Sequence, residues 1–195
     1  MPIPKPHSTS GMALGQQLSH PNLLTLFRVC AVPVIVILLL FPNRTCSFVA
    51  ALFFSAAAIT DYFDGYLARR RGLVSNFGKV MDPVADKLLV SSAFIMMAAL
   101  GRVPAWIVCI IVGRELAITG LRNIVAEKGL DVSASNLGKY KTGFQIAAAI
   151  PLLIHYPFFG LNVQAIGSLF LWAALVFTLW SGVHYFIKFR SLLEL

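Results

Sequence analysis

Six apolar stretches, each long enough to cross a bilayer, constrain this 195-residue chain more than any other feature. A membrane-spanning helix needs about 20 mainly apolar residues, and short polar segments separate the six stretches. The sequence predicts spans at about residues 22–41, 46–70, 83–100, 104–126, 140–156 and 163–187. Hydrophobic residues make up 58% of the chain and charged residues only 12%, which excludes an ordinary soluble domain. We therefore predict an all-α integral membrane protein with six transmembrane helices.

The length of the chain leaves room for one membrane domain, which we place at residues 21–195. Residues 1–20 contain three prolines and several serines, and they lack the apolar core of a signal peptide. We expect a flexible or interfacial N-terminal segment there. Between the second and third spans we expect a loop at 71–81, with Asp82 as the N-cap and Pro83 as the first residue of the third helix.

Positive charge is distributed unevenly between the two sides of the predicted bundle. Fourteen of the sixteen lysines and arginines lie on the side that holds both termini, and only Arg44 and Arg102 lie on the other. Since cytoplasmic loops are enriched in lysine and arginine, both termini should be cytoplasmic, in a multi-pass protein of the cytoplasmic (inner) membrane. The net charge of +8 then indicates contact with the anionic lipid bilayer, and we expect no nucleic acid partner.

Four of the eight acidic residues lie within 26 residues, at Asp61, Asp64, Asp82 and Asp86. Carboxylates at a membrane edge are costly unless they are paired, solvated or bound to metal. Spacings of three and four residues place each pair on one face of a helix. Two such helices could enclose one or two hard cations, and ligation by oxygen alone favours Mg²⁺ or Mn²⁺ over zinc. The alternative is a charged, solvated loop between two spans.

The helix face that carries Asp61 also carries Gly65, Ala68 and Arg69. The two small residues leave room for a ligand against the helix, and the arginine offers several donors to a phosphate. Carboxylates, small residues and a cation on one face indicate a site for metal-bound phosphates, with its active-site end facing the cytoplasm.

This segment resembles the signature of the CDP-alcohol phosphotransferase family, which reads D-x-x-D-G, then A-R, then G-x-x-x-D-x-x-x-D. Every fixed position is present, including Gly78. The resemblance implies that a hydroxyl attacks the lipid-side phosphorus of a CDP-activated lipid and that CMP leaves. It implies a site for two Mg²⁺ or Mn²⁺ ions at the four aspartates, with Asp86 also as the general base, and it implies a homodimer.

The resemblance also implies which residues contact CDP-diacylglycerol. They lie in the first span, in the motif and in the loop that follows it: Asn22, Thr25, Arg28, Asp61, Gly65, Ala68, Arg69 and Ser75. For Arg28 the alternative is a side chain that extends to the membrane interface.

The segments GRELAITGLRNIVAEKG and SASNLGKYKTGFQ resemble the phosphatidylglycerophosphate synthase branch of the family, whose acceptor is sn-glycerol 3-phosphate. A phosphate with nearly two negative charges requires a cationic pocket. Four residues can supply it: Arg114, Arg122, Lys139 and Lys141. The two arginines are eight residues apart, on roughly one helical face. The alternative for these cations is anchoring at the interface or an intramembrane ion pair, for example between Arg114 and Glu115.

The expected activity is therefore transfer of the phosphatidyl group from CDP-diacylglycerol to glycerol 3-phosphate, in the synthesis of phosphatidylglycerol and cardiolipin. Serine, inositol phosphate and phosphatidylglycerol are alternative acceptors for the same chemistry, and serine would need less cationic charge in the pocket. A small cation-coupled transporter is a more distant alternative. Transporter sites usually lie near the middle of the membrane between repeated halves, whereas these aspartates gather at one edge.

Overall fold

The computed structural model describes residues 20–71, 76–127, 136–157 and 160–189, with side chains at 26–60, 84–125, 138–157 and 160–187. The described residues form six α-helices: α1 (His20–Leu40), α2 (Arg44–Arg71), α3 (Asn76–Ala99), α4 (Ala105–Glu127), α5 (Asn136–Ile154) and α6 (Val163–Phe189). The shortest has 19 residues and the longest 28, or about 28–42 Å at 1.5 Å per residue. The prediction of an all-α fold with six helices is thus confirmed for the described part of the chain.

The third helix begins earlier than the sequence predicts. Helix α3 starts at Asn76, so Asp82 and Pro83 lie inside the helix and not at its N-cap and first position. A proline removes only one backbone hydrogen bond, whereas a longer helix pairs several backbone groups at the edge of a membrane. Residues 71 and 76–81 of the predicted loop at 71–81 are helical, while residues 72–75 lie outside the described residues, as do residues 1–19.

The exposed surface of α6 is apolar from Leu169 to Val183. Large side chains are exposed at helical spacing, among them Leu169, Trp172, Val176 and Val183, at 52–70% exposure. The opposite face is buried against the other helices. A long, mainly apolar helix that exposes a row of large apolar side chains is typical of a membrane span, because contact between so continuous an apolar patch and water is unfavourable.

Only α6 combines the length and composition of a membrane span among the residues searched, over Val163–Ile187. Shorter apolar helical stretches lie at Leu26–Leu40 and Arg44–Thr60. Helices α2 to α5 have 28, 24, 23 and 19 residues, which is enough to cross a bilayer.

The helices enclose one large apolar core. Helix α1 packs against α2 and α3, α5 packs against α2, α3 and α6, and α4 packs against α3 and α6. Phe54, Phe94 and Leu152 are completely buried in this core. A methyl group added at Gly167 of α6 would lie 2.6 Å from Cγ of Leu152. The glycine therefore permits the close approach of α5 and α6.

Polar contacts join the turns at one end of the bundle. The buried guanidinium of Arg102 donates to the carbonyl oxygen of Leu153 and to Oγ of Ser47, both at 2.8 Å. The carbonyl oxygen of Arg102 accepts a hydrogen bond of 2.9 Å from Nε2 of Gln164. Asn43 caps α2, since its Oδ1 accepts from the backbone nitrogen of Cys46 at 2.8 Å. This end is closed by side-chain contacts, and the aspartate motif lies towards the other.

Candidate active site

The four aspartates of the motif lie on two helices at matching depth. Asp61 precedes the last residue of α2, Arg71, by ten positions, and Asp86 follows the first residue of α3, Asn76, by ten. Both are therefore about 15 Å along their helices from the connection at 72–75. The structure does not describe the side chains of Asp61, Asp64 and Asp82. The side chain of Asp86 is half-buried.

A cavity of about 710 Å³ opens between α3, α4, α5 and α6 at this end of the bundle. Five cationic side chains and two carboxylates line it: Lys87, Arg114, Arg122, Lys139 and Lys141, with Asp86 and Glu115. We call this space the basic cavity. It brings together all four cations that the sequence predicts for the acceptor phosphate, and it places them in one space with Asp86. Its surplus of positive charge favours an anionic ligand.

Helical periodicity explains why these cations meet. On α4, Arg114, Ile118 and Arg122 follow one another at four-residue intervals and all line the basic cavity. On α5, Lys141 and Gln145 are separated by the same interval and also line it. The two helices thus present matching faces to the space between them.

Glu115 compensates part of this positive charge. Its Oε1 forms an ion pair with Nζ of Lys141 and a longer one, at 3.4 Å, with Nη1 of Arg114. The ion pair considered for Arg114 from the sequence is present. The same arginine also lines the basic cavity, so its side chain pairs with Glu115 and can also contact a ligand.

Neighbouring groups hold the cations in position. Nη2 of Arg114 donates to Oγ of Ser181 at 2.9 Å, and its guanidinium carbon lies 5.9 Å from the ring centroid of Tyr185. Nζ of Lys87 donates to Oγ1 of Thr119. Such supporting contacts favour a preorganised site, since a bound anion then needs little rearrangement of its donors.

None of the residues predicted to contact CDP-diacylglycerol is among the described residues that line the basic cavity. Arg28 is only 2% exposed, so the alternative of a side chain at the interface is wrong. The backbones of Asn22 and Thr25 lie in α1, and those of Gly65, Ala68 and Arg69 lie in α2, while their side chains lie outside the described ones. Ser75 lies outside the described residues altogether. The assignment of these residues to a CDP-diacylglycerol site stays a prediction.

Sequence reasoning missed several residues of the cavity wall, including Lys87, Thr119 and Gln145. A signal for Gln145 was present, because it is a polar residue within an apolar span and follows Lys141 by four positions. Lys87 directly follows the motif, but nothing in its spacing indicates that it faces α4.

Comparison with known proteins identifies a family and several relatives. A family model described as CDP-alcohol phosphatidyltransferase matches residues 18–180. A protein of Bacillus subtilis named CDP-diacylglycerol--glycerol-3-phosphate 3-phosphatidyltransferase is 42% identical over 86% of this chain and 93% of its own length. Proteins of the same name from Rickettsia typhi and Shigella flexneri serotype 5b are each 38% identical, over 85% and 90% of this chain and 94% and 97% of their own lengths.

Proposed function

Because the chain belongs to the CDP-alcohol phosphatidyltransferase family, we propose that this enzyme transfers the phosphatidyl group from CDP-diacylglycerol to sn-glycerol 3-phosphate. The product is phosphatidylglycerophosphate, and CMP is released. The names of relatives that match most of the chain support this activity. One structural observation carries it: a cavity with five cationic side chains also contains Asp86 in its wall.

The charge of the basic cavity favours a phosphorylated acceptor. Lys141 and Arg114 share Glu115, whereas Arg122 and Lys139 add cationic groups to the same wall. A phosphate of nearly two negative charges makes strong, charge-assisted hydrogen bonds with such groups. Serine carries no comparable negative charge, so it would not compensate the positive charge of the basic cavity.

In the proposed reaction Asp86 is the general base. Its carboxylate takes the proton of the acceptor hydroxyl as the hydroxyl oxygen forms a bond with the lipid-side phosphorus. The bond between that phosphorus and the oxygen of CMP breaks, and CMP leaves with the electron pair. Phosphoryl transfer depends mainly on positioning and on charge neutralisation, which a fixed carboxylate and fixed cations provide.

The chemistry of the donor set fits a divalent cation. Four carboxylates on two helices offer only oxygen ligands, which suits Mg²⁺ or Mn²⁺, and Asp61, Asp64, Asp82 and Asp86 would hold two ions. Such ions neutralise negative charge on the pyrophosphate when they are bound. The matching depth of Asp61 and Asp86 on their helices supports this assignment.

The CDP-diacylglycerol site is proposed to lie along α1 and α2, beside the motif. Gly65 and Ala68 leave space next to the helix backbone, and Arg69 offers donors to the phosphates. Asn22, Thr25, Arg28, Asp61 and Ser75 complete the proposed contact set. This arrangement separates the residues for the nucleotide lipid from the cations for the acceptor.

The proposal includes a topology of six spans, with both termini and the active site on the cytoplasmic side of the inner membrane. It is supported by the lengths of the six described helices and by the concentration of lysine and arginine on one side. A homodimer is also proposed, on the family resemblance, and light scattering of the detergent-solubilised protein would measure it.

An acceptor screen tests the proposed function directly. Purified protein is incubated with CDP-diacylglycerol, Mg²⁺ or Mn²⁺ and one acceptor at a time, and CMP release is followed. We expect release with glycerol 3-phosphate and little with serine, inositol phosphate or phosphatidylglycerol. Release with serine or inositol phosphate alone would reject the acceptor but leave the family chemistry intact.

A further inference from the structure

Gln145 is a buried amide in the wall of the basic cavity with an unused hydrogen-bonding group. The residue is 2% exposed, and its Nε2 has no hydrogen-bond partner among the described residues. Buried polar groups nearly always have a partner, because an unpaired donor loses its bonds to water without compensation. An unpaired donor in a cavity wall indicates that a ligand supplies the partner.

The chemistry of an amide indicates what kind of ligand group it meets. Lys141 lies one helical turn away on the same face of α5, and together with Arg114 and Arg122 it supplies the charge that a phosphate needs. A neutral amide, which has two N–H donors and an acceptor oxygen, suits a neutral hydroxyl group. Rotation about its terminal bond turns either the nitrogen or the oxygen towards the cavity.

We propose that Gln145 donates a hydrogen bond to the middle hydroxyl of the acceptor and thereby selects glycerol 3-phosphate over alcohols that lack this group. The inference rests on the proposed function. In glycerol 3-phosphate the middle hydroxyl lies between the phosphate and the attacking hydroxyl. The basic cavity likewise contains cations for the phosphate and Asp86 for the attacking hydroxyl. Gln145 is thus a specificity-determining residue, not a base or a metal ligand.

Two acceptors that differ only in the middle hydroxyl test the proposal. Glycerol 3-phosphate has this group and 3-hydroxypropyl phosphate lacks it, while both have the phosphate and the attacking primary hydroxyl. The kcat/KM is measured for each acceptor with the natural chain and with Gln145→Met, which keeps the approximate shape but removes the amide. The ratio of the two kcat/KM values does not depend on how much of the purified protein is active.

We expect the natural chain to prefer glycerol 3-phosphate, and Gln145→Met to reduce that preference about ten- to a hundredfold. This is the range for a hydrogen bond lost to a buried partner. The variant should lose rate with glycerol 3-phosphate and change little with 3-hydroxypropyl phosphate. An unchanged ratio, or equal losses with both acceptors, would overturn the proposal.

Thr178→Val is the matched control. Thr178 is also completely buried, and its Oγ1 has no hydrogen-bond partner among the described residues, but it does not line the basic cavity. This variant should keep the ratio of the natural chain. If it shifted the ratio as Gln145→Met does, the effect would reflect general packing and the proposal would be rejected.

A binding measurement decides the case in which Gln145→Met has no turnover. Thermal unfolding is followed with and without each acceptor, and the stabilisation that each one produces is compared. Glycerol 3-phosphate should stabilise the natural chain more than 3-hydroxypropyl phosphate does, and the variant should lose that difference. A difference that persists in the variant would overturn the role of Gln145. If the natural chain released no CMP with glycerol 3-phosphate, the proposed function itself would fail, which is a separate result.

Discussion

Lys141 on α5 and Glu115 on α4 form an ion pair in the wall of the basic cavity, with side chains only 6% and 12% exposed. The same carboxylate accepts a hydrogen bond from Arg114. Glu115 therefore compensates two of the cations proposed to bind the acceptor phosphate. Without it, both charges would remain in a poorly solvated cavity whenever the acceptor is absent.

Glu115→Gln should destabilise the protein when no acceptor is bound. Removing one partner of a buried ion pair typically costs about 3–5 kcal/mol, because the other charge loses its compensation. Glycerol 3-phosphate should restore part of this stability by supplying negative charge. Thermal unfolding in detergent should therefore show a lower Tm for the variant and a larger increase in Tm on addition of glycerol 3-phosphate.

Glycerol without the phosphate is the control for that experiment. It offers hydroxyl groups but no negative charge, so at the same concentration it should not restore the Tm of Glu115→Gln. Equal stabilisation of the variant and the natural chain by glycerol 3-phosphate would contradict the compensating role of Glu115.

Neutralising Arg122 should weaken acceptor binding specifically. A charge-assisted hydrogen bond to phosphate contributes about 1.5–3 kcal/mol, so Arg122→Gln should raise the KM for glycerol 3-phosphate about ten- to a hundredfold. Lys139→Gln should raise it less, since the exposed Lys139 is screened by solvent. The KM for CDP-diacylglycerol should change little with either variant.

Arg44→Gln is the matched control for Arg122→Gln. Arg44 is exposed at the other end of the bundle, where its Nη2 donates to the carbonyl oxygen of Pro157 at 3.1 Å. It should leave both KM values unchanged. Equal increases in both KM values for Arg122→Gln would show that this cation shapes the whole site and not the acceptor pocket alone.

Activity should require a divalent metal and each aspartate of the motif. EDTA should abolish CMP release and Mg²⁺ or Mn²⁺ should restore it, because two negative substrates must approach a cluster of carboxylates. Asp61→Asn, Asp64→Asn and Asp82→Asn should each lose activity while the protein still folds. Asp131→Asn, outside the motif, is the control and should stay active. Full activity in EDTA would refute the metal site.

Cysteine labelling should show six spans with both termini in the cytoplasm. The three natural cysteines are first replaced by serine: Cys30, Cys46 and Cys109. Ser75→Cys and Ala134→Cys should then react with a membrane-impermeant reagent from the cytoplasmic side, and Ala105→Cys from the opposite side. Labelling of positions 75 and 105 from the same side would exclude this topology.

Arg102→Met should lower stability without affecting catalysis. Arg102 is buried and donates to Leu153 and Ser47 at the end of the bundle away from the basic cavity. Each hydrogen bond from a charged group contributes about 1.5–3 kcal/mol, so the variant should unfold at a lower temperature. The KM values of the folded fraction should match those of the natural chain, and a selective change in one KM would contradict a purely structural role.

Patterns over short distances in the chain determined much of what could be predicted. The six helices could be predicted because the apolar stretches are long enough to span a membrane. The aspartate motif could be identified because its residues are separated by fixed helical intervals. The predicted start of α3 at Pro83 was wrong, because the helix begins at Asn76. The preference of proline for the first helical position is weaker than the requirement to pair backbone groups near a membrane.

Contacts between distant residues were decided only by the tertiary structure. The sequence by itself determined that Arg114 and Arg122 share a helical face and that Lys141 is a candidate for the acceptor phosphate. It could not determine that Lys141 meets Glu115, or that Gln145 lines the same cavity with an amide nitrogen that has no hydrogen-bond partner among the described residues. Helical periodicity specifies which residues share a face, but the packing of α4 against α3 and α6, and of α5 against α6, specifies which faces meet.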